Sequence, residues 1–125
     1  MAQMPRDVVD AWERRQGPIV LVTVDAQGMP NAIYATCVRL FDAGRLVVAD
    51  NYFVKTRANL QPGAKGAILF ITDAGKSYQL KGTLERQTSG ELYDDMKRWL
   101  DPKHPGHAAT VLHVEQVYSG GTQLM

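Results

Sequence analysis

Only one cysteine, Cys37, occurs in the 125 residues, so no internal disulfide can form and the chain suits a reducing compartment. Charge of either sign is not in excess. Fourteen Lys and Arg stand against thirteen Asp and Glu, and a net charge of +1 gives no electrostatic case for nucleic acid or an anionic membrane. Aromatic residues make up 8%, too few for the stacking groove of an oligonucleotide-binding barrel. The apolar runs fall far short of the roughly 20 residues of a membrane span, and MAQMPRDVVDAWERR lacks the apolar core of a secretory signal. A soluble, cytoplasmic protein with no nucleic-acid or membrane partner is expected.

Metal and nucleophile chemistry are equally thin. His104, His107 and His113 have no acidic or thiol ligand at familiar spacing, and Pro105-Gly106 breaks the first pair, so no metal site is expected. Cys37 lies in an apolar run with no histidine at motif distance and reads as a buried structural thiol. Ser77, Thr36 and the scattered carboxylates form no triad.

What is present is a regular alternation of short apolar segments and turns, with no repeat or linker, consistent with one domain over residues 1–125. MPRDVVDAWERR predicts a short helix whose Val8, Val9 and Trp12 share a face. Strands are predicted at PIVLVTVD (18–25), NAIYATCVRLF (31–41), RLVVA (45–49), AKGAILFIT (64–72), SYQLKGTLERQ (77–87) and ATVLHVEQVYS (109–119). AQGMP, DAGR and DAGK supply tight turns between them. Residues 52–61 predict one short helix, and Ser89 is a candidate N-cap for ELYDDMKRWL, with Leu92, Met96 and Trp99 at helical spacing. Tight turns exclude parallel crossovers, which leaves a mainly β, six-stranded antiparallel barrel with short helices. The first and fourth strands are apolar on both faces, so something must cover their outer side, and a partner subunit would do so.

One segment departs from this pattern. DNYFVKTRANL (50–60) leaves a buried strand and presents Asn51, Lys55 and Thr56 within a few residues. If a helix starts near Asn51, free backbone N–H groups, an ammonium and a hydroxyl share its positive end, which is the chemistry of a phosphate site. The same residues also read as an N-cap, a surface lysine and a solvated threonine, and Tyr52 and Phe53 as packing groups. Composition alone leaves both readings open.

The order of elements around the segment, with RLVV followed by KTRANL, resembles the FMN-binding split barrel of the pyridoxamine 5'-phosphate oxidase-like superfamily, and its small dimeric FMN-binding proteins in particular. The resemblance implies a split β-barrel with Lys55 and Thr56 on the FMN phosphate. Asn59 and Leu60 match the family's pair at the end of the same helix. By the same resemblance, Val48, Ala49, Asp50 and Asn51 would run along the ribityl chain and flavin edge. Ala32, Ile33, Tyr34, Ala35 and Thr36 would supply further flavin contacts. Tyr34 stands where the oxidases place a phosphate-binding arginine, and Ser77, or Gln79 in a slipped register, where they place a glutamine. VEQVYSGGTQLM has no counterpart of their Arg- and His-bearing C-terminal segment, so pyridoxamine-phosphate oxidation itself is not expected. Gln123, Leu124 and Met125 would either reach the flavin of a partner subunit or fray. The implied function is that of a homodimeric FMN flavoprotein with a redox role, as an oxidoreductase or electron carrier. The alternative is a non-catalytic module for another phosphate-bearing or haem-related cofactor.

Overall fold

The computed structural model describes residues 2–125. In chain order the elements are α1 (Arg6–Trp12), β1 (Ile19–Val24), β2 (Pro30–Ala35), β3 (Val38–Asp42), β4 (Arg45–Asp50), α2 (Lys55–Ala58), β5 (Lys65–Ile71), β6 (Ser77–Gln87), α3 (Glu91–Trp99), β7 (Ala108–Ser119) and β8 (Thr122–Gln123). All pairings are antiparallel, in the order β2-β1-β5-β6-β7-β4-β3, with β8 added to β7.

The two ends of that path, β2 and β3, are separated in sequence only by Thr36 and Cys37. Counting directions along the antiparallel path shows that they run the same way. One run, bent at Cys37, therefore pairs with β1 over its first half and with β4 over its second, which curls the sheet into a split barrel. Eight strands replace the six expected because this run counts as two and the tail adds β8. Ile19↔Ala35 closes one half of the switch, and Val38↔Val48 with the Ala49 N–H on the Cys37 carbonyl (2.9 Å) opens the other.

Alternation along the strands sends Ile19, Leu21, Leu46, Val48, Ile68, Phe70, Leu80, Leu84 and Leu112 inward, all buried. Met4, Val8, Ala11 and Trp12 bring α1 onto one end of this core, where Trp12 meets Phe70 edge-on at 5.1 Å and Phe70 stacks on Tyr78 at 5.2 Å. Outside the barrel, Leu92, Met96 and Leu100 pack the amphipathic α3 against Val47, Ala49, Ala109 and Val111. Burial of each leucine, methionine or valine in this layer contributes about 1.5–3 kcal/mol. No element among the described residues covers the outer face of β1 and β5, where Val24, Leu69 and Ile71 remain exposed.

The curl requires two glycines in register. Gly66 pairs with Gly82 beside the bulge that shifts β6 against β7. A Cβ on Gly82 would overlap the backbone carbonyl of His113, whereas one on Gly121 would meet nothing. We expect Gly82→Ala to lower stability by at least about 2 kcal/mol in urea titrations and Gly121→Ala to leave the midpoint nearly unchanged.

Candidate functional site

The segment Asp50–Leu60 occupies the gap that the partner switch leaves beside β2. The sequence suggests a helix from about residue 52, but α2 spans only Lys55–Ala58. The reason is local. The Asp50 carboxylate accepts the Phe53 N–H (3.1 Å), which holds residues 50–53 in a turn before the helix can start. Asn51 is accordingly not a helix cap. Its Oδ1 accepts the Gly106 N–H (3.0 Å) and ties the segment to the turn before β7.

KTRANL then separates into inward and outward side chains. Thr56 is buried, and its hydroxyl accepts a hydrogen bond from Asn31 Nδ2 (3.1 Å). Asn59 Nδ2 donates to the Thr23 hydroxyl (2.9 Å), and Arg57 Nε donates to Asp50 (2.9 Å). Arg86 Nε lies 3.6 Å from the same carboxylate, which is fully buried. The segment is thus a polar plug, hydrogen-bonded into the barrel end opposite α1. Thr56 and Asp50, placed on the cofactor by resemblance, point their side chains into this plug, and Val48 points into the apolar core. Lys55 is left on the outside, exposed and in no ion pair among the described residues.

Between plug and switch lies an open cleft of about 350 Å³. Ile33, Tyr34, Ala35, Thr36 and Cys37 form one wall, Ala49, Asn51, Tyr52 and Phe53 the other, and His104 closes a third side. β2 has no ladder partner on the side away from β1, so its free backbone N–H and C=O groups border this gap. The volume falls within the range of small-molecule and cofactor sites.

Of the positions named from sequence, Ile33, Tyr34, Ala35, Thr36, Ala49 and Asn51 line the cleft together. Ala32 is one residue beyond its wall. Ser77 pairs with Ile71 at the far end of β6, its carbonyl accepting from the Ser119 hydroxyl (2.9 Å), and Gln79 follows on the same strand; neither lines the cleft. The tail is fixed rather than frayed: Leu124 N–H donates to the Val117 carbonyl (2.8 Å), and Leu124 and Met125 pack on their own core. Cys37, Tyr52, Phe53 and His104 are wall residues that sequence reasoning did not assign. Cys37 follows directly from extending the β2 wall by one residue. His104 carries no local signal, because long-range bonds, from Gly106 N–H to Asn51 Oδ1 and from His107 N–H to the Asp50 carbonyl (2.8 Å), bring its turn alongside β4.

Charge elsewhere is arranged in pairs on the outer sheet face. His113 Nε2 sits 2.9 Å from Glu85 Oε1, and this contact, then that of Gln87, holds the Glu85 carboxyl below its usual range. Burial pulls the Asp42 carboxyl upward, but hydrogen bonds from Arg45 and the Gly44 N–H outweigh it and hold Asp42 below the usual range.

The pyridoxamine 5'-phosphate oxidase family model matches residues 5–120, and the chain belongs to that FMN-binding, split-barrel family. HupZ of Group A Streptococcus superposes with a TM-score of 0.81 at 27% identity, over 97% of both chains. An FMN-binding protein from Syntrophomonas wolfei gives 0.71 at 22% identity, over 83% of this chain and 77% of that one. HutZ, the haem storage protein of Vibrio cholerae, gives 0.67 at 19% identity, over 94% and 95%. The last two likenesses show the shared fold. No helix among the described residues is long and apolar enough to cross a membrane.

Two outcomes test the electrostatics. Asp50→Ala leaves Arg57 and Arg86 facing each other, and a loss of about 2–3 kcal/mol in chemical unfolding is expected, below the full buried-pair value because both arginines keep some solvent. Glu85 binds its proton more weakly folded than unfolded. Its contribution is therefore present above the ordinary glutamate range and lost as pH falls below that range through the lowered value of the folded state. Thermal melts between about pH 5 and pH 3 should show a shallower acid decline for Glu85→Gln than for the wild type.

Proposed function

We propose that this protein is a homodimeric flavoprotein that binds FMN in the cleft beside β2 and acts in redox chemistry, as an oxidoreductase or an electron carrier. The observation that carries the reading is the gap itself. An unpaired strand edge, apolar Ile33, Ala35 and Ala49 and aromatic Tyr34, Tyr52 and Phe53 meet there, and an unpaired ammonium, Lys55, follows two residues along the chain from Phe53. A flavin has the complementary form: a planar ring with a polar edge of alternating donors and acceptors, joined by a flexible chain to a phosphate.

In this reading Lys55 binds the phosphate, and Thr56 fixes Lys55 by anchoring α2 to Asn31. The backbone of Ile33–Thr36 meets the polar ring edge, while Ala49 and Phe53 exclude water from the ring. Bound FMN supplies the hydride or electron chemistry itself. The uncovered apolar face of β1 and β5, adjoining Tyr34, suits a second copy of the chain. The near-neutral charge and lone cysteine fit a cytoplasmic setting without nucleic-acid or membrane partners.

A non-catalytic role with a haem-related cofactor is the second reading, favoured by the imidazole of His104 in the cleft wall and by the likeness to HutZ. The visible spectrum of the protein after incubation with each cofactor separates the two: perturbed flavin bands support the first, and a sharp Soret band with no flavin uptake supports the second. Lys55→Ala should weaken FMN binding about 10- to 100-fold, the value of a charge-assisted contact, and leave riboflavin binding within about twofold. Equal losses for both flavins would contradict the phosphate assignment.

A further inference from the structure

The chain has five tyrosines, and three of them have a clear partner. Tyr78 stacks on Phe70, Tyr93 lies under the Lys97 ammonium at 5.8 Å, and Tyr118 under that of Lys81 at 5.0 Å. Tyr34 and Tyr52 have no aromatic partner, no cation over the ring and no side-chain hydrogen bond among the described residues. Tyr34 is 79% exposed and Tyr52 74%, yet both line the same cleft. They approach it from different elements. Tyr34 stands on the outer face of β2, the register partner of Val20, and Tyr52 follows β4 in the turn that Asp50 holds.

Large aromatic side chains left in water on rigid backbone, at a cleft whose other walls mix apolar Ile33, Ala35, Ala49 and Phe53 with polar Thr36, Asn51 and His104, carry unspent contact area. Rigid presentation matters here, because β2 is fixed by its ladder to β1 and residues 50–53 by the Asp50 carboxylate and the Asn51–Gly106 bond. The backbone adds little ordering cost on stacking, which leaves only the two χ angles of each tyrosine to be fixed. The phenol edges also leave two hydroxyls at the rim that water can still reach.

We infer that Tyr34 and Tyr52 form a two-sided aromatic clamp for a planar fused-ring ligand, and, resting on the FMN reading above, that they grip the isoalloxazine ring while Lys55 grips the phosphate. The clamp contacts only the ring, so it cannot distinguish FMN from riboflavin. Lys55 must distinguish them. Division of binding between ring and phosphate is therefore separable by ligand as well as by mutation.

The test uses the full chain with Tyr34→Phe, Tyr34→Leu, Tyr52→Phe and Tyr52→Leu, titrated with FMN and with riboflavin while flavin emission is followed and dimer mass is checked by light scattering. Each leucine variant should lose about tenfold in affinity for both flavins, the usual value of one stacking contact. Each phenylalanine variant should keep its affinity within about twofold but give brighter bound flavin, because a phenol in contact donates an electron to the excited ring and a benzene ring does not. Wild-type protein that binds flavin, with leucine variants equal to it or emission unchanged in the phenylalanine variants, would overturn the clamp alone. Affinity losses that only track loss of dimer mass would also overturn it. Wild-type protein that takes up neither flavin would overturn the FMN reading and the clamp with it.

Discussion

Thr36 and Cys37 carry the chain from one edge of the sheet to the other, and everything distinctive in the structure follows from that change of partner. A run that pairs with β1 over six residues and then with β4 over four cannot hold both neighbours at once. Each half leaves one side of its backbone open. An open edge is a liability in a soluble protein unless something occupies it. Here Asn51–Thr56 runs beside β2 without joining its ladder, and the space between them is the cleft.

The two ends of the barrel are closed by different physics. At the α1 end the closure is mainly apolar, built on Trp12, Phe70 and Tyr78, with backbone bonds at its flanks from Met4 N–H to the Ala43 carbonyl and from Gln16 N–H to the Ile71 carbonyl. At the α2 end it consists of hydrogen bonds between Thr23, Asn31, Thr56 and Asn59 and of a buried carboxylate shared by two guanidinium groups. Such a polar layer adds little net stability, but it fixes geometry, since each donor fits one acceptor. A four-residue helix could not hold its position by burial alone. The plug therefore sets where Lys55, Tyr52 and Phe53 stand, and it links the stability of one barrel end to the shape of the cleft.

Much of this architecture was legible in the residues. Alternating apolar runs and Gly-bearing turns placed every long strand to within a few residues, with Gly28 and Gly75 in the positive-φ conformation that such turns need. NAIYATCVRLF reads as one strand, but the chain bends at Cys37, where the Val38 N–H donates to the Thr36 carbonyl (3.1 Å), and nothing in its composition marks the change of partner, since neither glycine nor proline interrupts it. The family resemblance rested on KTRANL, and the family itself is confirmed. The individual roles were harder to see. Thr56 and Asn59 look like solvent-facing polar residues until Asn31 and Thr23, 25 and 36 positions away, are brought against them. His104 enters the cleft through the Asn51–Gly106 and Asp50–His107 bonds, between segments far apart in sequence. Local pattern reveals elements; it does not reveal which polar side chains find long-range partners.

The central claim is that the gap created by the partner switch is a flavin site. Isothermal titration of the purified chain with FMN tests it most directly. Saturation at one FMN per protomer, with the flavin absorption bands shifted on binding, is the predicted result. A chain that is folded by circular dichroism yet releases no heat and leaves the flavin spectrum unchanged across the titration would contradict it.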